Sequence, residues 1–198
     1  MDGTTSRATF LSRGAKGGLA LVAGGSVLAA TSGSALANPG SKTSDADIAK
    51  LAATAELLAI DFYTRCIASK KFTGDKLAYL AAARSNEQAH YAALAKVLGS
   101  AAPKRLKFRY PAGAFGSARA AANVGSALET AFVGAYMGAV QALKSNDLKA
   151  VAAQIGANEA QHLTIFNFIG AGTLVQNPPF PKVFTAAQAT KAVTPFLV

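Results

Sequence analysis

The 198-residue chain has no tryptophan, one cysteine, two histidines and only four glutamates. A single cysteine excludes a disulfide scaffold, and without a partner Cys66 reads as a small buried residue rather than a reactive thiol. Charged residues are also sparse, at 15%, but 51% of the chain is apolar. That balance excludes a disordered chain and suits one compact domain with its own core. Ten acidic residues face twenty basic ones, for a formal net charge of +10. The four glutamates (Glu56, Glu87, Glu129, Glu159) and the two histidines (His90, His162) are few enough to follow one by one.

Long apolar runs are scarce as well. The weakly hydrophobic stretch 17–30 follows Arg7, Arg13 and Lys16 and precedes Ala35-Leu36-Ala37, an A-x-A cleavage pattern. Residues 1–37 therefore read as an export leader. Ser6-Arg7-Ala8-Thr9-Phe10-Leu11 is similar to the twin-arginine export motif, with Ala8 in place of the second arginine. The expected mature chain, 38–198, is exported and has no further span able to cross a bilayer.

From Ser44 onward the chain is rich in alanine and punctuated by helix stop signals, which predicts four long helices. The first runs from the cap Ser44 to about Ser69, and the second from Thr73 or Gly74 to Leu98-Gly99. The third spans about Ser117 to Lys144, and the fourth starts at a cap on Asn146 and ends near Gly170 to Gly172. Two connections are short and force antiparallel neighbours, while residues 100–116 are long enough to travel the length of a bundle. A proline-bearing tail follows, with a short helix over 186–193 expected on the bundle surface.

The scarce residues share one pattern. Glu87-x-x-His90 lies in the second helix and Glu159-x-x-His162 in the fourth, each pair leaving one helix face. Glu56 and Glu129 supply one carboxylate each from the first and third. Glu129 lies on the stripe Gly125, Phe132, Tyr136, Leu143, and Glu159 with His162 on the stripe Ile155, Phe166, Ile169, so the carboxylates point where the core should be. Burying an uncompensated carboxylate costs several kcal/mol. No lysine or arginine falls beside the glutamates on these stripes, and two divalent metal ions would balance four carboxylates. The pattern also repeats. Asn86-Glu87-x-x-His90 matches Asn158-Glu159-x-x-His162, and Tyr63 and Tyr136 each follow a glutamate by seven residues. Both tyrosines read as hydroxyl donors to the carboxylates.

This arrangement resembles the ferritin-like superfamily of dinuclear carboxylate proteins, over roughly residues 44–198. Residues 128–136, 158–170 and 185–197 are most similar to the bacterial and plant group that includes the desiccation-related proteins. The resemblance implies an all-α, ferritin-like four-helix bundle with a long crossover. It also implies Glu56 and Glu129 as terminal metal ligands, Glu87 and Glu159 as bridging ones, and His90 and His162 as one imidazole per metal. Bacterioferritin-type sites carry Asp before each Glu-x-x-His, where it accepts a hydrogen bond from a histidine. Here Asn86 and Asn158 stand there, orienting the rings without adding charge.

Two iron ions, with manganese as the alternative, suit such a donor set, and oxygen or peroxide would be the reactant. The leading expectation is an exported di-iron protein that oxidises Fe(II) or reduces oxygen or peroxide. A non-enzymatic metal-binding stress protein and a dimanganese catalase-like enzyme are the alternatives, and a homo-oligomer is compatible with either. The five remaining aspartates past the leader (Asp45, Asp47, Asp61, Asp75, Asp147) are too few for a mineral-lined cage. The basic run Lys104 to Tyr110 interleaves cations with aromatics, but export removes nucleic acid as its partner and leaves a solvated crossover attracted to anionic polymers.

Overall fold

Ser44 opens the first helix with reciprocal bonds: its hydroxyl accepts from the Asp47 amide at 3.1 Å, and the Asp47 carboxylate accepts from the Ser44 amide at 3.2 Å. Two orphan amides are thereby satisfied and two acids stand at the positive end of the helix. In this computed structural model, which describes residues 43–175 and 177–198, helix α1 spans Asp45–Ala68, α2 Gly74–Leu98, α3 Ala118–Ala142, α4 Asn146–Ala171 and α5 Ala186–Val193. The leader expected over 1–37 lies outside the described residues. No strand forms among those described. One isolated antiparallel pairing joins Phe108 to Leu197.

The helix ends follow the expected stops, with two corrections at one turn. Gly99, at φ +56°, closes α2, and Gly172, at φ +77°, closes α4 in the left-handed region that glycine enters without penalty. But α3 stops at Ala142 rather than Lys144, and α4 is capped by Ser145, not Asn146. The cause lies across the bundle. The Asp45 carboxylate accepts hydrogen bonds from the Lys144 and Ser145 amides, both at 2.9 Å, which takes those two residues out of the helix and moves the cap one position forward.

Helix directions follow from cross-helix pairs. Asp45 at the start of α1 meets the end of α3, Tyr63 meets Glu129, and Tyr136 meets Glu56, so α1 and α3 are antiparallel. The three-residue α3–α4 turn and the five-residue α1–α2 turn, residues 143–145 and 69–73, set antiparallel hairpins. Helix α2 is therefore parallel to α3, and only a crossover running the length of the bundle can join them. The described residues form an all-helical four-helix bundle of the expected connectivity, with a short fifth helix.

Two apolar layers sandwich the polar one. Toward one end lie Leu58, Phe62, Cys66, Leu80, Phe132 and Phe166, and toward the other Ile48, Ala53, Leu94, Tyr136 and Ile155. Fully burying side chains of this size is worth about 1.5–3 kcal/mol each. Burial pushes the Cys66 thiol up to about 12, which makes it the inert core residue expected. The tail crosses α3 at two glycines: the Phe184 amide donates to the Gly134 carbonyl at 2.9 Å, and a Cβ at Gly138 would run into the Phe184 carbonyl oxygen. This close approach seats α5 against α3 and α1.

Candidate metal centre

The four glutamates and His162 are all buried, at 2% exposure or less, while the His90 side chain retains 14%. Helical spacing delivers each of them. Three positions apart, Glu87 and His90 leave α2 on one face, as Glu159 and His162 leave α4, and the antiparallel pairing of those helices brings the two motifs face to face. His90 Nδ1 lies 3.1 Å from Glu87 Oε2, 3.2 Å from Glu159 Oε1 and 3.4 Å from Glu56 Oε2. His162 Nδ1 lies 2.8 Å from Glu87 Oε1 and 3.2 Å from Glu159 Oε2. All six residues singled out in the sequence meet in one cluster.

Tyrosines on the opposing helices hold the two outer carboxylates. The Tyr63 hydroxyl of α1 donates to Glu129 Oε1 of α3 at 2.6 Å, and reciprocally the Tyr136 hydroxyl of α3 donates to Glu56 Oε1 of α1. Each tyrosine thus serves the other helix's glutamate, which spacing along a single helix does not reveal. Asn86 Nδ2 stands 3.4 Å from His162 Nε2. With the amide turned over, its carbonyl would accept from the ring N–H and leave Nδ1 facing the carboxylates. Asn158 forms no matching hydrogen bond to His90 among the described residues, so the internal repeat is broken outside the cluster. Tyr79 of α2, absent from the sequence reading, sets its ring edge-on to His162, centroids 6.1 Å apart. It carries no spacing signal.

The electrostatics are those of a site short of positive charge. No lysine or arginine forms a salt bridge to these glutamates among the described residues; only the two imidazoles do. Burial, and then the Glu159 charge, holds Glu56 and Glu129 well above the usual carboxylate range. Glu87 goes the other way. Although its burial opposes this, the His162 and His90 rings hold it down to about 2. Burial also works against the imidazolium forms, but facing carboxylates, Glu159 foremost, push His90 up to about 12 and His162 up to about 9. Without metal, protons supply the positive charge.

Every glutamate keeps one oxygen without an aligned hydrogen-bond donor: Glu129 Oε2 has no ion-pair partner either, and Glu56 Oε2, Glu87 Oε1 and Glu159 Oε1 have only an imidazole nitrogen at 2.8–3.4 Å. Orphaned buried carboxylate oxygens cost stability unless something binds them. Ligand atoms of Glu56, Glu87, His90 and Glu159 lie within 4.8 Å of one another, and so do those of Glu87, Glu129, Glu159 and His162. Each group could hold a metal ion, and Glu87 and Glu159 belong to both. No helix among the described residues is long and apolar enough to cross a membrane. A search of curated proteins finds no match to this chain. A family model described as a ferritin-like domain matches residues 44–171.

Proposed function

Because the chain belongs to the ferritin-like domain family, we propose that its buried cluster is a dinuclear metal centre that oxidises Fe(II) or reduces oxygen or peroxide. The observation that carries this reading is the pair of overlapping ligand groups, each with one histidine and sharing two carboxylates, with one oxygen of every glutamate lacking an aligned hydrogen-bond donor. Glu56 and His90 would serve one ion and Glu129 and His162 the other, with Glu87 and Glu159 between them. Carboxylate and imidazole donors suit iron, and manganese next. Two bound iron ions would supply the redox chemistry that none of these side chains has.

The protein's own groups then have definite tasks. Tyr63 and Tyr136 fix the outer carboxylates by one oxygen each, leaving the other aimed inward. The neighbouring apolar layers exclude water and strengthen every charge interaction inside. Partial exposure of His90, against 1% for His162, makes its side the entrance. The same reading takes residues 1–37 as an export leader and places the protein outside the cytoplasmic membrane.

Anaerobic titration with Fe(II), followed by air, tests it. About two ions per chain should bind, as a two-metal site requires, and oxidation should be markedly slower in Glu129→Ala. Weaker stoichiometry, or equal rates in the two proteins, would sink the proposal.

A further inference from the structure

The basic run of the crossover has no task in a buried metal centre, yet a continuous path of rings joins the two. Tyr110, half-buried at the end of that run, packs its ring on Phe62 of α1 with centroids 5.8 Å apart. Phe62 meets Tyr63 at 6.0 Å and Phe166 at 5.7 Å, and Phe166 meets Tyr63 at 5.5 Å. The Tyr63 ring stands edge-on to His162 at 5.8 Å, and its hydroxyl is bonded to Glu129. All these separations are ring contacts. At the outer end the Tyr110 hydroxyl donates to Asp61 Oδ2 at 2.9 Å and approaches the Leu58 carbonyl at 3.3 Å. Asp61 is paired with Arg65 at 2.7 Å, and the Arg65 guanidinium lies 5.2 Å above the Tyr110 ring. Lys104, Arg105, Lys107 and Arg109 are exposed on the segment that delivers Tyr110. Packing accounts for the rings, but not for a carboxylate on the outer phenol or for the cations leading to it.

We propose that Tyr110 and the basic crossover form an electron-entry face, and that its partner is a one-electron carrier of net negative charge. The proposal rests on the dinuclear redox reading above. In each transfer the Tyr110 ring would give one electron, past Phe62 and Tyr63, to the metal pair that the cluster would hold once oxygen or peroxide has oxidised it, and the Tyr110 hydroxyl proton would pass to Asp61, leaving a neutral phenoxyl. The carrier then returns one electron and Asp61 the proton. One carrier molecule would be oxidised for each electron delivered to the metal pair, and no proton would be consumed. Opposite charges on the two surfaces would raise the encounter rate.

Flavin mononucleotide, an anion, serves as probe in both directions. First, the full chain with redox-silent zinc added is illuminated with the oxidised flavin, frozen, and read by electron paramagnetic resonance. The tyrosyl signal should fall several-fold in Tyr110→Phe and persist in Tyr91→Phe, whose hydroxyl serves only the Pro103 carbonyl. Equal signals in wild type and Tyr110→Phe overturn the proposal whether or not any metal binds. Second, the reduced flavin is mixed with iron-loaded, oxidised protein. Re-reduction should slow on the order of tenfold from low to high salt, and slow likewise in Lys104→Glu/Lys107→Glu but not in the charge-matched Lys96→Glu/Lys191→Glu. Equal slowing in both double variants overturns the docking face. Failure to load iron defeats the dinuclear reading alone, because the zinc-treated sample still decides the role of Tyr110.

Discussion

At the centre of the bundle, the two oxygens of a single glutamate do different work. One oxygen of Glu56 takes the Tyr136 hydroxyl and one of Glu129 takes that of Tyr63, while the second oxygen of each lacks an aligned donor and could take a metal. Removing either hydroxyl leaves a buried carboxylate short of a donor. Tyr63→Phe and Tyr136→Phe should each cost about 1–3 kcal/mol in the metal-free protein, read from urea unfolding. The loss should shrink when metal is present to hold the same carboxylates. Protonation gives a second expectation. Glu56, Glu129, His90 and His162 all hold protons more tightly folded than unfolded. Over the range between unfolded and folded values the native state binds more protons, so the metal-free protein should lose stability as pH rises from mildly acid through neutral. Metal must displace those protons. Loading manganese or iron into a weakly buffered solution should therefore acidify it, and apparent affinity should weaken as pH falls.

Among the helices, the features legible in the sequence were those carried by local chemistry: Ser44 as a cap, Gly99 and Gly172 as stops, and scarce ligands at helical spacing. What escaped was set by contacts between elements. Asp45 looked like an ordinary first-turn acid, yet its carboxylate reaches across to the Lys144 and Ser145 amides and shortens α3. Those two bonds also hold the Asp45 carboxyl below its ordinary range. Their contribution is present above the unfolded carboxylate value and fades as pH falls through the folded one. Asp45→Asn should lower the melting temperature at neutral pH, and the difference from wild type should close in acid. Tyr63 and Tyr136 were legible as donors, but their partners were not, because those depend on how α1 and α3 dock. Gly134 and Gly138 gave no signal until the tail was seen lying over them. Gly138→Ala would drive a methyl into the Phe184 carbonyl. It should lift residues 182–193 from α3, seen as faster proteolytic cleavage of the tail at little cost to the metal cluster.

Across the whole molecule the polar layer is a deliberate weakness in an otherwise apolar bundle. Four carboxylates between two hydrophobic layers are offset by protons alone when no metal is bound, so metal should act as a structural ligand of the native state as well as a reactant. A ligand at one hundred times its dissociation constant adds about 2.7 kcal/mol. The melting temperature should rise on manganese or iron loading and fall on chelation, with little response in a Glu87→Ala/Glu159→Ala variant. The bundle was legible at this scale because alanine-rich helices of known length, two short turns and one long crossover admit few arrangements. The aromatic column and the uneven exposure of His90 and His162 were not, because each depends on side chains drawn from three or more elements.

The reciprocal bonds between Tyr63 and Glu129 and between Tyr136 and Glu56 have a consequence for how the protein assembles. Sliding α1 along α3 by a single turn would displace both hydroxyls from both carboxylates by about 5.4 Å, stranding four buried polar groups at once. An alanine-rich interface offers little other resistance to such a slip, since one methyl fits much like the next. The two bonds thus work as a gauge that only the correct docking of the hairpins satisfies, checking the alignment before any ion arrives.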